Sequence, residues 1–268
     1  MSGSPKFKFI ALRRAGIAWH LTFNRPDRRN ALNHPMMVEI GQAVDMVAVD
    51  KNCRALVLRG AGGAFCAGGD LAAMADMPAK PKKGPDPLVR SYRQFGDALL
   101  KLNNLPQAVV AVVEGPAVGG GFGMACCSDV VILHASAKFG IPEPRSGFIP
   151  SQIIPFLVRR LGEGAVRHLA VTGTIMDAPA AERLGLGHFL CATAKELDAA
   201  LAGVLANIGK MEPDAMATSK RLAMMCARAG DVAVMDRAGE ELVRLLRRKQ
   251  AKAGMQAFLT KKAPPWAV

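Results

Sequence analysis

Aromatic residues are scarce in this chain, with one tyrosine, two tryptophans and eleven phenylalanines among 268 residues. A surface that stacks nucleobases interleaves aromatic with basic side chains, and the basic run Arg244, Arg247, Arg248, Lys249 and Lys252 has no such interleaving. Acids are also in deficit, 22 against 35 lysines and arginines, for a formal net charge of +13. That excess favours anionic partners, whether nucleic acid, a membrane surface or a phosphate-bearing ligand, and charge cannot choose among them. The missing aromatics weigh against nucleic acid. The six cysteines, Cys53, Cys66, Cys126, Cys127, Cys191 and Cys226, form no C-x-x-C pair and have no histidine at zinc-ligand spacing. No metal is therefore expected, and the cysteines read as small buried apolar residues. No apolar run reaches the length of a membrane span, and residues 1–9 carry two lysines without a signal-peptide core. The expectation is a cytoplasmic protein with no membrane partner.

Half of the residues are apolar and 21% are charged, an ordinary globular composition. The length suits one large α/β unit with a helical appendage. Alternating Ile17, Trp19, Leu21 and Phe23, with a turn at residues 14–16, predict a β-hairpin over 7–24. Met37, Ile40, Val44 and Val47 stand at helical spacing and predict a helix over 35–49. A short buried strand at 55–58 runs into a glycine-dense turn, and the stretch 78–87 (PAKPKKGPDP) reads as loop. Leu88, Tyr92, Phe95, Leu99 and Leu102 then share a helix face. The wholly apolar run 108–113 predicts a strand buried on both sides, ending in the triple glycine 119–121, and a further strand covers 129–133. Past Gly173 the pattern is helical over 178–184, 195–210, 213–229 and 231–253, broken by a strand at 188–191.

Both glycine turns follow a buried strand and precede a helix, which puts unpaired backbone N–H groups where they can meet an anion or a polar oxygen. Neither is a dinucleotide fingerprint, since G-x-G-x-x-G would require glycine at Phe65 and at Met124. No G-K-S/T follows either turn, so a P-loop is excluded too.

Residues 23–33 (FNRPDRRNALN), 65–71 (FCAGGDL), 119–121 (GGG) and 137–143 (AKFGIPE), with the tail 254–266, closely resemble the signature blocks of the crotonase superfamily of enoyl-CoA hydratases and isomerases, in order and spacing. The resemblance implies an α/β fold, a crotonase-type spiral of ββα units over residues 1–205 with a C-terminal helical trimerisation region over 206–268. It also implies a homotrimer or dimer of trimers, and a coenzyme A thioester as substrate with no tightly bound cofactor. By the same resemblance, the backbone N–H groups of Gly69 and Gly120 donate to the thioester oxygen, with Ala67 and Asp70 beside them. Arg25, Arg28 and Arg29 fall in the loop that contacts coenzyme A, and Phe258 and Lys261 match C-terminal residues that cover its adenine, often from a neighbouring subunit.

The acid/base equipment departs from the pattern. Hydratases of the best-known kind use two glutamates; here Glu143 matches the second, and the first maps onto Gly123. The blocks around residues 113–126 and 149–162 resemble bacterial branched glutaconyl-CoA hydratases, of the isohexenylglutaconyl- and methylglutaconyl-CoA types. Water addition to such a branched substrate is the reading taken. A branch at C3 supports positive charge developing there, so a second strong base is dispensable, and the substrate's distal carboxylate could orient the water. Arg145, two residues past Glu143, is a candidate for meeting that carboxylate. The alternatives are a Δ3,Δ2-enoyl-CoA isomerase working with Glu143 alone, and an RNA-binding or non-catalytic coenzyme A-binding relative.

Overall fold

Residues 6–75, 83–226 and 231–268 are described by the computed structural model of the chain. Strands β1 (Ile10–Ala15) and β2 (Ala18–Phe23) form the expected hairpin, closed by Gly16 at φ +54°. Helix α1 (His34–Val49) starts where the Asn33 side chain accepts from the Met36 N–H, and strand β3 (Ala55–Gly60) follows. The first glycine turn leads into α2 (Leu71–Ala75), and α3 (Pro87–Asn103) begins at an Asp86 cap. Strand β4 (Ala108–Val113), β5 (Pro116–Val118) and α4 (Gly120–Cys126) carry the second glycine turn. Then come β6 (Val130–His134), β7 (Lys138–Gly140), α5 (Ile154–Leu161), α6 (Glu163–Thr172), β8 (Met176–Asp177), α7 (Ala178–Arg183) and β9 (Phe189–Cys191). The chain closes with α8 (Ala194–Gly209), α9 (Pro213–Met225), α10 (Asp231–Leu246) and α11 (Lys249–Leu259). Residues 76–82, which include the start of the stretch 78–87 read as loop, and 227–230, which include the end of the helix expected over 213–229, lie outside the described residues.

The larger sheet has the order β1-β2-β3-β4-β6-β9, parallel from β2 onward. Its centre explains the run of β-branched residues. Along β4, Val109, Ala111 and Val113 point into one core, and Ala108, Val110 and Val112 into a second beneath α8. A strand covered on both faces has no position for a polar side chain, so the sequence shows a solid apolar block rather than alternation.

The smaller sheet, β5-β7-β8, builds the spiral. Single parallel bridges, Leu32 to Gly69 and Cys66 to Ala117, extend it past β5, so successive units place one strand in the large sheet and one short extended segment in a staircase beside it. Both glycine turns are steps of that staircase.

Two expectations need correction. The helix anticipated over 231–253 is two helices, because Arg248 adopts an extended conformation and its guanidinium pairs with Asp214 on α9. Five cysteines are buried as expected, but Cys226 is exposed. Helices α5 and α6 and the small sheet were not anticipated.

Candidate active site

The two turns lie back to back. Gly68 has φ +86°, and a Cβ there would stand 3.2 Å from the Val118 carbonyl oxygen and 3.7 Å from Gly119 Cα. Gly119 adopts φ 50°, ψ −121°, a region open to glycine, and a Cβ on it would meet Glu143 Oε1 at 2.5 Å. These approaches bring Gly69, Gly120 and Glu143 to the wall of one cavity of about 530 Å³.

The amides of Gly69 and Gly120 are both available. Leu32 donates to the Gly68 carbonyl (2.7 Å) and accepts from Asp70 (2.9 Å), so ladder alternation turns the Gly69 N–H away from the bridge. Gly120 is the first residue of α4, where no helical acceptor exists. Among the described residues neither amide donates to a main-chain acceptor. Two such donors at one cavity wall are suited to a carbonyl oxygen that gains negative charge.

Glu143 opens a short 3-10 turn (Glu143–Ser146). Its Oε2 is buried without a hydrogen-bond partner, and burial pushes the carboxyl pKa above its usual value. A carboxylate so placed holds and returns a proton more readily than a solvated one. Gly123 is buried in α4, and a Cβ there would run deep into Ile153 Cγ2. The place of a second glutamate is thus filled by an isoleucine.

The other expected residues divide. Asp70 lines the cavity and is paired with Arg25 at 2.8 Å, both side chains 12% exposed. That hydrogen bond holds the Asp70 carboxyl below its usual range, and Asp70 also accepts from the Ala73 N–H at the start of α2. Arg25 further donates to the Ala31 carbonyl and lies over the Phe9 ring, so it clamps the first turn, and its guanidinium already has an anionic partner. Ala67 is anchored by its N–H to the Arg29 carbonyl (3.0 Å). Arg28 and Arg29 are exposed, with Arg29 at φ 48°. Phe258 is 84% exposed, Lys261 is exposed, and neither lines the cavity of its own chain. Arg145 is turned away: its Nε would lie 2.7 Å from a Cβ on Gly173, and it is not in the cavity wall.

Several residues that support or line the site were not singled out by the sequence. Asn30, fully buried, accepts from Arg25 N–H and donates to the carbonyls of Ala61 and Ala64, pinning the 23–33 loop to the first turn. His34, Ser91 and the segment Phe148, Ile149, Ile153 complete the wall. The apolar stripe of α3 held a signal for part of it: Leu99 and Leu102 enter the core, while Leu88, Tyr92 and Phe95 face the cavity.

A family model described as enoyl-CoA hydratase/isomerase matches residues 13–268. The chain belongs to the enoyl-CoA hydratase/isomerase family. Within the family, it is 33% identical over 261 residues to enoyl-CoA hydratase EchA19 of Mycobacterium tuberculosis, covering 94% of this chain and 93% of that one. Among solved structures, an enoyl-CoA hydratase/isomerase from Marinobacter aquaeolei superposes with a TM-score of 0.93 at 37% identity, over 97% of this chain and 99% of the other. AtuE of Pseudomonas aeruginosa gives 0.93 at 39%, over 97% and 100%. The fold is the crotonase fold expected from the signature blocks, and the chain is an enoyl-CoA hydratase/isomerase-family enzyme. Among the described residues there is no helix long and apolar enough to cross a membrane.

Proposed function

We propose that the enzyme hydrates a C3-branched enoyl-CoA of the branched glutaconyl type, using Glu143 as its one proton carrier. The observation that carries the reading is a carboxylate with one buried, unpartnered oxygen, sharing a cavity wall with two available amides, while Ile153 fills the place of a second carboxylate. The thioester oxygen accepts from the Gly69 and Gly120 N–H groups. Glu143 takes a proton from water as the water oxygen bonds to C3, and the double-bond electrons move onto the thioester as an enolate. The enolate collapses, C2 takes the proton from Glu143, and the carboxylate is restored. Each amide donor in such a hole is worth roughly 3–4 kcal/mol of barrier. A branch at C3 supports the charge that develops there, which is why one carboxylate suffices.

Coenzyme A enters as part of the substrate, its phosphates facing Arg28 and Arg29. Residues 206–268 form the contact of a trimer or dimer of trimers, in which Phe258 and Lys261 close over a neighbour's coenzyme A. Exposed Met235, Leu242 and Leu259 support such burial. The arginine run supports nucleic-acid binding less, because Arg244 and Arg248 are paired with Asp214, and Arg244 also with Glu241. We assign the enzyme to the cytoplasm.

The test is a panel of acyl-CoA thioesters, linear and branched, with and without a distal carboxylate, followed by double-bond absorbance. Turnover of a branched glutaconyl-CoA that Glu143→Gln abolishes is the expected result; near-normal turnover by Glu143→Gln overturns the assignment. A second reading, a Δ3,Δ2-isomerase, is favoured by the same single carboxylate, since shuttling one proton from C2 to C4 needs no water. A β,γ-unsaturated thioester converted without water incorporation would select it.

A further inference from the structure

We propose that the His34–Ser91 pair is a subsite for a second carboxylate on the acyl chain, so that the cavity selects dicarboxylic over monocarboxylic thioesters. This inference rests on the cavity being the acyl pocket of the reaction above.

The wall is apolar over most of its extent, through Leu32, Met37, Leu88, Phe95 and Ile153. A carboxylate left against such a surface without a hydrogen-bond partner costs several kcal/mol. The two carboxylates already in the wall, Glu143 and Asp70, repel another anion, and Asp70 holds Arg25 to itself. Arg145 is directed elsewhere. Among the described lining residues, His34 is the one side chain able to carry positive charge.

His34 is exposed at the cavity edge and hydrogen-bonded there. Its Nδ1 lies 3.1 Å from Ser91 Oγ, a contact that joins the first residue of α1 to α3 across the cavity edge. In either tautomer the pair presents one unshared proton. If the hydroxyl donates to Nδ1, the ring proton sits on Nε2; if Nδ1–H donates to Oγ, the hydroxyl proton is left over. A carboxylate accepts in both cases, and a protonated ring adds charge to the bond.

The pair shares its cavity with the two amides. Ser91 stands one turn of α3 before Phe95, about 6 Å between such positions. The Phe95 ring in turn reaches the second glycine turn, with Cζ 3.1 Å from where a Cβ on Gly120 would be. Ser91, Phe95 and Gly120 thus follow one another along the wall of one cavity, with the His34–Ser91 pair at its edge.

Equilibrium binding of saturated, unreactive thioesters tests this without turnover. Glutaryl-CoA and butyryl-CoA differ in the distal carboxyl-bearing end, and wild type is expected to bind glutaryl-CoA about tenfold more tightly, the effect of one charged hydrogen bond. His34→Ala brings the ratio of the two affinities close to one, Ser91→Ala lowers it less, and His34→Arg restores it. A wild-type ratio near one, or a ratio unchanged in His34→Ala, overturns the subsite. Either result leaves the hydratase reading intact, because that reading is decided separately, by turnover of the thioester panel and its loss in Glu143→Gln. Circular dichroism of each variant establishes that it is folded.

Discussion

The two glycine turns, which present the two amides of the proposed oxyanion site, are built differently. At the second, Gly119 sits in a conformation reserved for glycine, against Glu143, and Gly121 presses on the Cys66 backbone, where a Cβ would come within 2.5 Å of its carbonyl oxygen. At the first, Gly69 is exposed, and a Cβ there would meet only the Met74 sulfur, at 3.1 Å. The second turn is set by close packing of backbone alone; the first shares that packing at Gly68 and is held besides by a polar clamp, Asp70 with Arg25, tied in by Asn30. The two donors are thus positioned by steric exclusion in one case and by steric exclusion with charge in the other.

That contrast can be broken or sharpened by substitution. The largest effect is expected from Glu143→Gln, which leaves both turns in place and removes the proton carrier; kcat falls about 10²–10⁴-fold with little change in KM. Next is Gly119→Ala, which strains the backbone and strikes the carboxylate. It should lose about 10²-fold in kcat and ~1–3 kcal/mol in stability, read by steady-state kinetics and urea unfolding. Arg25→Ala leaves Asp70 without its cation and should cost ~1–3 kcal/mol and about tenfold in kcat/KM, because the Gly69 amide loses its support. The depressed Asp70 pKa means that the pair's contribution exists above the ordinary aspartate value and disappears as pH falls through the lower folded value.

A pH comparison separates Glu143 from that clamp. Its raised pKa makes the folded state hold a proton that the unfolded state has released, so this residue's contribution to stability falls as pH rises from the ordinary glutamate value through the raised one. Glu143→Gln should therefore be more stable than wild type at neutral pH, with the difference vanishing in acid; a constant difference across that window refutes the assignment. The acid limb of kcat/KM should likewise lie above the ordinary glutamate range. The smallest effect is expected from Gly69→Ala, within about threefold of wild type, since a thioether can move aside. If it proves as damaging as Gly119→Ala, the two turns are equally rigid and the contrast fails.

The hairpin, the buried strand β4 and both glycine turns were legible in the sequence, because each leaves a local mark: alternation, an unbroken apolar block, or a run of glycine; Glu143 leaves no such mark and was singled out through the family resemblance alone. The small sheet left none, as its strands have two or three residues, too few for a period. The break between α10 and α11 was hidden because helical spacing continues through Arg248, whose partner on α9 is set by tertiary packing. His34 and Ser91 are 57 positions apart, and only folding joins them. Arg25 was read as a cation for phosphate, since an arginine's charge is visible in sequence and the aspartate that occupies it is not.

Ile153 also fixes the order in which this site could change over time. While its side chain fills the space beside Gly123, any larger residue at 123 is rejected on steric grounds, however useful its chemistry. A lineage acquiring a second carboxylate there must first shrink position 153 and pass through an intermediate with a hole in its wall and no new base. On the proposed one-carboxylate chemistry, a substitution at 123 alone meets Ile153 before it can supply a second base.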